Sequence, residues 1–133
     1  HTMGKGKSMK KEFITTRGAW ETEHFAQAVK VGNTVYVSGK TARDEQGNIV
    51  PGGFEVQTIK AFENVKLTLE AAGASLRDIV KFTVYLRDIN DLDKFRKIRN
   101  RYFTPPRPAS TAIEVSGLVL NALVEIDAIA VAD

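Results

Sequence analysis

The 133 residues, 43% hydrophobic and 26% charged, have the composition of one soluble folded domain, which excludes collagen-like, low-complexity and disordered classes. The longest uncharged stretch, Val115 to Val124, is ten residues long and includes Ser116, Gly117 and Asn121, far short of the about 20 apolar residues of a membrane span. The net +3 is an end effect: residues 1–11 carry Lys5, Lys7, Lys10 and Lys11 and no acid, which leaves Glu12 to Asp133 at −1 and removes bulk basicity as a nucleic-acid signal.

Residues 1–11 read as a flexible basic tail whose first three, His1-Thr2-Met3, look vector-derived, and residues 12–133 read as a single domain. Gly6-Lys7-Ser8 mimics the end of a phosphate-binding loop, but the first glycine of that motif would fall on His1. Next come Ala28 to Val31 and Thr34 to Val37, two β-rich runs around Gly32-Asn33, which predict a hairpin. The strand is expected to end at Ser38-Gly39. From there to Gly53 the turn chemistry of Gly47-Asn48 and Pro51-Gly52-Gly53 predicts a surface loop.

From Glu55 the period changes: Val56, Ile59, Phe62, Val65, Leu69 and Ala72 recur at helical spacing, with Gly73 as the C-terminal cap. Ile79 to Arg87 alternates, placing Val80, Phe82, Val84 and Leu86 on one side and Lys81, Thr83, Tyr85 and Arg87 on the other. Asn90 or Asp91 can cap a second helix that carries Leu92, Phe95, Ile98 and Tyr102 and stops at Pro105-Pro106. Strands Ala109 to Val115 and Leu123 to Val131 follow. This order predicts an α+β domain in which two amphipathic helices cover one face of a single mixed sheet. The other face, with Thr83, Tyr85, Ser110, Glu114, Glu125 and Asp127, is left without a helix, and self-association is expected to cover it.

Chemistry is expected first at Glu125, a charge in a strand that otherwise reads as core. Two readings stay open: a carboxylate in a partly apolar cleft, with a raised pKa suited to moving a proton, or an ion pair with an arginine of another chain. Asp127 shares its face as a second acid or a salt-bridge partner. Ser38 stands where a strand leaves the sheet, and His24 could reach it across the hairpin. With no cysteine and one histidine beyond His1, neither disulfides nor a metal site is expected, and the missing cysteines fit a reducing, cytoplasmic setting. Arg96, Lys97, Arg99, Arg101 and Arg107 form a basic cluster near Tyr102 and Phe103, rings that could stack a base, although a solvated helix face is the preferred reading.

Several segments together resemble the RidA/YjgF family, also called the L-PSP endoribonuclease family. They are Gln27 to Asn33, Val37-Ser38-Gly39, Leu69 to Leu76, Val80 to Leu86 and Leu123 to Ala130, and the resemblance spans about residues 20 to 131. It implies a chorismate-mutase-like fold and a homotrimer with clefts between subunits. It also implies cofactor-free hydrolysis of enamines and imines such as 2-aminoacrylate to 2-keto acids and ammonia. On this resemblance the family's cleft serine falls on Ser38, and its water-positioning glutamate on Glu125. Phe25 takes the place of a tyrosine.

The largest departure lies in the family's Pro-Ala-Arg-Ser motif, which here reads Pro108-Ala109-Ser110-Thr111. Ser110 offers one neutral hydrogen bond where a guanidinium would make two charged ones to a substrate carboxylate. A substrate other than 2-aminoacrylate is therefore expected. Lys40 is the candidate cation to substitute, with solvent exposure as its alternative, and Arg43 and Arg107 are expected in solvent. The alternatives are a non-catalytic ligand-binding or chaperone-like trimer and an endoribonuclease.

Overall fold

The computed structural model describes residues 10–133. Its elements are β1 (Lys11–Ile14), β2 (Ala28–Val31), β3 (Thr34–Lys40), α1 (Phe54–Ala71), β4 (Ile79–Leu86), α2 (Leu92–Tyr102), β5 (Ala109–Glu114) and β6 (Val124–Val131). The strands form one sheet in the order β1-β2-β3-β6-β4-β5, with every neighbouring pair antiparallel except β4 and β5. The last strand in sequence thus enters the middle of the sheet. β3 and β4 flank it and run parallel to each other, and α1 is the crossover between them, as α2 is between β4 and β5. This is the expected α+β architecture with two helices on one mixed sheet.

Two residues of positive φ punctuate it where expected. Gly32, at φ +59°, turns the β2–β3 hairpin. Gly73, at φ +80°, ends α1 and lets the Ala74 N–H donate to the Leu69 carbonyl at 2.8 Å. The core between helices and sheet is aromatic. Phe62 is fully buried and stacks on Tyr102 and Phe95 with centroids 4.6 and 5.7 Å apart, while Phe82 stacks on Phe103 at 5.5 Å.

Five expectations need correction. Lys11, assigned to the tail, belongs to β1, whose pairing with β2 supplies an order that a four-residue segment lacks alone; the rest of that tail, apart from the exposed Lys10, lies outside the described residues. Val80 is exposed rather than core, because a register shift between Ile79 and Lys81 turns it outward and puts Ile79 inside. The buried stripe of α1 is also more polar than its apolar period implies. Val56 is exposed, whereas Gln57, Thr58, Asn64 and Thr68 are buried. Each of the four makes a hydrogen bond: the threonine hydroxyls donate to the carbonyls of Phe54 and Asn64, Gln57 Oε1 accepts from the Leu123 N–H, and Asn64 donates to the loop after β3.

Finally, the parallel register sets Ser110 beside Phe82 and Glu114 beside Leu86, so both belong to the helix-covered side of an edge strand. The open face instead carries Lys81, Thr83, Tyr85, Thr111, Glu125 and Asp127. Lys81 donates there to the hydroxyls of Thr83 and Thr111 at 3.2 and 3.1 Å. At α2, Asp91 precedes the helix without a side-chain capping bond; Asp88 caps the preceding turn by accepting from the Asn90 N–H at 2.9 Å.

Candidate active site

The site forms where β3 leaves the sheet. Val37 pairs with Ala128 and Lys40 with Ile126, so Ser38 and Gly39 together face the single residue Asp127. This bulge reverses the alternation. It directs Lys40, one residue past it, into the protein rather than to solvent, and brings Gly39 under Glu125. A Cβ built on Gly39 would overlap the Glu125 carboxylate, 2.9 Å from its Cδ. Only glycine leaves that carboxylate its position.

A cavity of about 400 Å³ opens above the bulge, lined by Glu125, Ser38, Gly39 and Lys40 together with Phe25, Gln27, Trp20, Arg43 and Val119. Four of the five expected site residues therefore meet: Glu125, Ser38, Lys40 and Phe25. Ser110 is not among them. It is exposed on β5, separated from β6 by β4. Ser38 is fixed by its own N–H, which donates to the Gln27 carbonyl at 3.0 Å, and by its hydroxyl, which donates to the Ala26 carbonyl at 2.7 Å. The hydroxyl oxygen keeps its lone pairs for a guest. His24 is exposed and does not pair with Ser38.

The charges are unevenly solvated. Lys40 is only 7% exposed, and its ammonium donates to Gln27 Oε1. Burial pulls its pKa down to about 8, against the opposing charge of Glu21. Burial also pushes the Glu125 carboxyl above its ordinary value; Asp127 adds to that, and Arg43 counters it. Asp127 accepts the Tyr85 hydroxyl at 2.8 Å and forms no ion pair among the described residues. Two buried amide atoms beside the cavity, Gln27 Nε2 and Asn64 Oδ1, have no hydrogen-bond partner among the described residues.

Arg43 corrects another expectation. It lines the cavity instead of standing in solvent, with its guanidinium carbon 3.9 Å from the centroid of the Trp20 ring. Trp20 in turn meets Phe25 edge-to-face at 6.3 Å. Both Trp20 and Arg43 come from irregular segments, where no period marks a residue as inward-facing. Arg107 is exposed, as expected. The rings beside the basic cluster are not free to stack a base: Phe103 is buried, and Tyr102 lies on Phe62 with its hydroxyl donating to Glu63 at 3.0 Å. Among the described residues no three metal-ligating side chains cluster, and no helix is long and apolar enough to cross a membrane.

Comparison with known proteins shows the family and the fold. The profile of the family described as Endoribonuclease L-PSP matches residues 18–132. A RutC family protein of Pyrococcus abyssi is 46% identical over 124 residues, covering 92% of this chain and 98% of the relative. The 2-iminobutanoate/2-iminopropanoate deaminase of Mus musculus is 37% identical over 92% of each chain. The crystal structure of RidA from a Psychrobacter species superposes with a TM-score of 0.86 at 38% identity, covering 91% of this chain and 99% of the other.

Proposed function

Because this chain belongs to the endoribonuclease L-PSP family, to which the RidA proteins also belong, we propose that it hydrolyses an enamine or imine other than 2-aminoacrylate, without a cofactor, in a cleft completed by self-association. The observation that carries this reading is the desolvated Glu125 carboxylate held over Gly39 at the cavity wall. A carboxylate whose pKa rises toward neutrality is a better general base at working pH than an exposed one. Glu125 orients a water toward the C=N carbon and takes one of its protons as the C–O bond forms. That proton passes to the nitrogen to give a carbinolamine; Glu125 then takes the hydroxyl proton as the C=O bond forms and hands it to the nitrogen as the C–N bond breaks, so that ammonia and a carbonyl product leave. Ser38 accepts a hydrogen bond from the substrate nitrogen, Phe25 supplies an apolar wall, and Lys40 contributes positive charge.

The assembly we infer is a homotrimer. Support comes from the polar open face, which no helix covers, and from Ser110. A residue on the far edge strand serves this cleft only if it belongs to a neighbouring protomer. Sedimentation at about three times 14.7 kDa is the expected result; a particle of single-chain mass contradicts it. We place the domain at residues 12–133, with Lys11 now joined to it, and the protein in the cytoplasm. RNA stays outside the proposal because no ring near the basic cluster is free to stack.

The test is semicarbazide trapping of imines. A threonine dehydratase supplies 2-aminoacrylate from serine, and an amino-acid oxidase supplies imines of larger amino acids. Wild type is expected to consume a larger imine faster than 2-aminoacrylate. Glu125→Gln is expected to lose at least about 100-fold, the usual scale for a general base. Equal rates for wild type and the variant overturn the role. Binding without turnover of any imine favours a ligand-binding trimer, the reading that Ser110 supports.

A further inference from the structure

Beside Glu125 the cavity holds a guanidinium that the hydrolysis above leaves unused. Arg43 is fixed at both ends. Asn64 Nδ2 donates to the carbonyls of Thr41 and Arg43, both at 3.0 Å, which holds the backbone; at the tip, Nη1 donates to the Gly47 carbonyl at 3.2 Å, and the flat face rests on Trp20. Trp20 has its own seat: Gly47 is at φ +88°, and a Cβ there would lie 2.5 Å from the indole nitrogen. Stacking on an indole orients a guanidinium without consuming its N–H donors.

Among the described residues Arg43 has no acidic partner. Among the described residues the ion pairs are Lys94 with Asp91 and Arg96 with Asp93, both on the surface around α2. Glu125 feels the Arg43 charge but does not pair with it. The cavity therefore presents a preoriented, unneutralised cation at some distance from its carboxylate, with Trp20, Phe25 and Val119 as apolar walls.

We propose that Arg43 is the specificity-determining residue of this site, binding the carboxylate of an imino acid whose aromatic or branched side chain packs on Trp20 and Phe25. This rests on the reading of the cavity as the imine site. A carboxylate against the open edge of the guanidinium puts the adjacent C=N carbon between Arg43 and Glu125. The function of the clamp then survives Ser110 by moving to the loop after β3.

Trp20 is the single tryptophan, so its fluorescence reports on this cavity alone. The probes are 3-phenylpropionate and the isosteric 3-phenylpropanamide, titrated into wild type, Arg43→Gln and Arg43→Lys, with far-ultraviolet circular dichroism as the folding control. Wild type is expected to bind the acid at least about tenfold more tightly than the amide, the scale of one charged hydrogen bond. Arg43→Gln is expected to bring the two together, and Arg43→Lys to retain part of the preference. With the phenylalanine-derived imine, Arg43→Gln should raise KM more than it lowers kcat. An acid-to-amide ratio unchanged in Arg43→Gln overturns the assignment while leaving Glu125 catalysis intact. If neither probe perturbs Trp20 in wild type, the cavity reading falls, and Arg43 with it.

Discussion

The protein contains two groups of aromatic rings, and they keep different company. Phe62, Phe82, Phe95, Tyr102 and Phe103 pack on one another beneath the helices, and the buried threonine hydroxyls of α1 are hydrogen-bonded. Trp20 and Phe25 instead border a cavity with a stacked cation, a desolvated lysine, a desolvated carboxylate and two amide atoms without partners among the described residues. The first group stabilises the fold. The second carries electrostatic cost that a folded chain would shed unless a ligand used it.

The comparison breaks most sharply at the aromatic core. Phe62→Ala removes a fully buried ring that touches four others, and urea denaturation should show a loss of about 3–5 kcal/mol. At temperatures where the variant is folded, its specific activity should stay near that of wild type. Gly39→Ala reverses that pattern. The added methyl displaces a flexible side chain rather than backbone, so stability should change by less than about 1 kcal/mol. Imine hydrolysis should fall roughly 10- to 100-fold as Glu125 leaves its position. A Gly39→Ala enzyme with wild-type turnover would separate the carboxylate from the reaction.

A smaller effect sharpens the electrostatic side. Lys40 titrates near 8 in the fold and near 10.5 in the unfolded chain, so between those values the unfolded state binds more protons and stability rises with pH. Below about pH 8 the buried charge is a standing penalty. The urea midpoint of wild type should therefore climb from pH 8 to 10 relative to that of Lys40→Met, and two parallel profiles would show that Lys40 is solvated.

The sequence makes some of this visible. The periods of α1, β4 and α2 lead to Phe62, Phe82, Phe95 and Ile98, and Glu125 stands out as a charge among apolar strand residues. What stays hidden depends on neighbours distant in sequence. Nothing local tells that Ser38 and Gly39 share one partner on β6, the fact that buries Lys40. Nothing in Ala109 to Glu114 tells that β5 runs parallel to β4 with Ser110 opposite Phe82, which moves that serine off the face where alternation alone places it. β1 pairs only through β2, and Trp20 and Arg43 come from segments without a period, so their meeting over the cavity is a tertiary fact.

The central claim is that Glu125 is a desolvated carboxylate facing its guest. Carbon-13 NMR titration of glutamate-labelled protein, with Glu125→Gln to assign the resonance, measures this directly. The side-chain carboxyl of Glu125 should titrate above the ordinary 4.5 and move when 3-phenylpropionate is added. A Glu125 resonance that titrates at or below 4.5 and ignores the added acid would contradict the account.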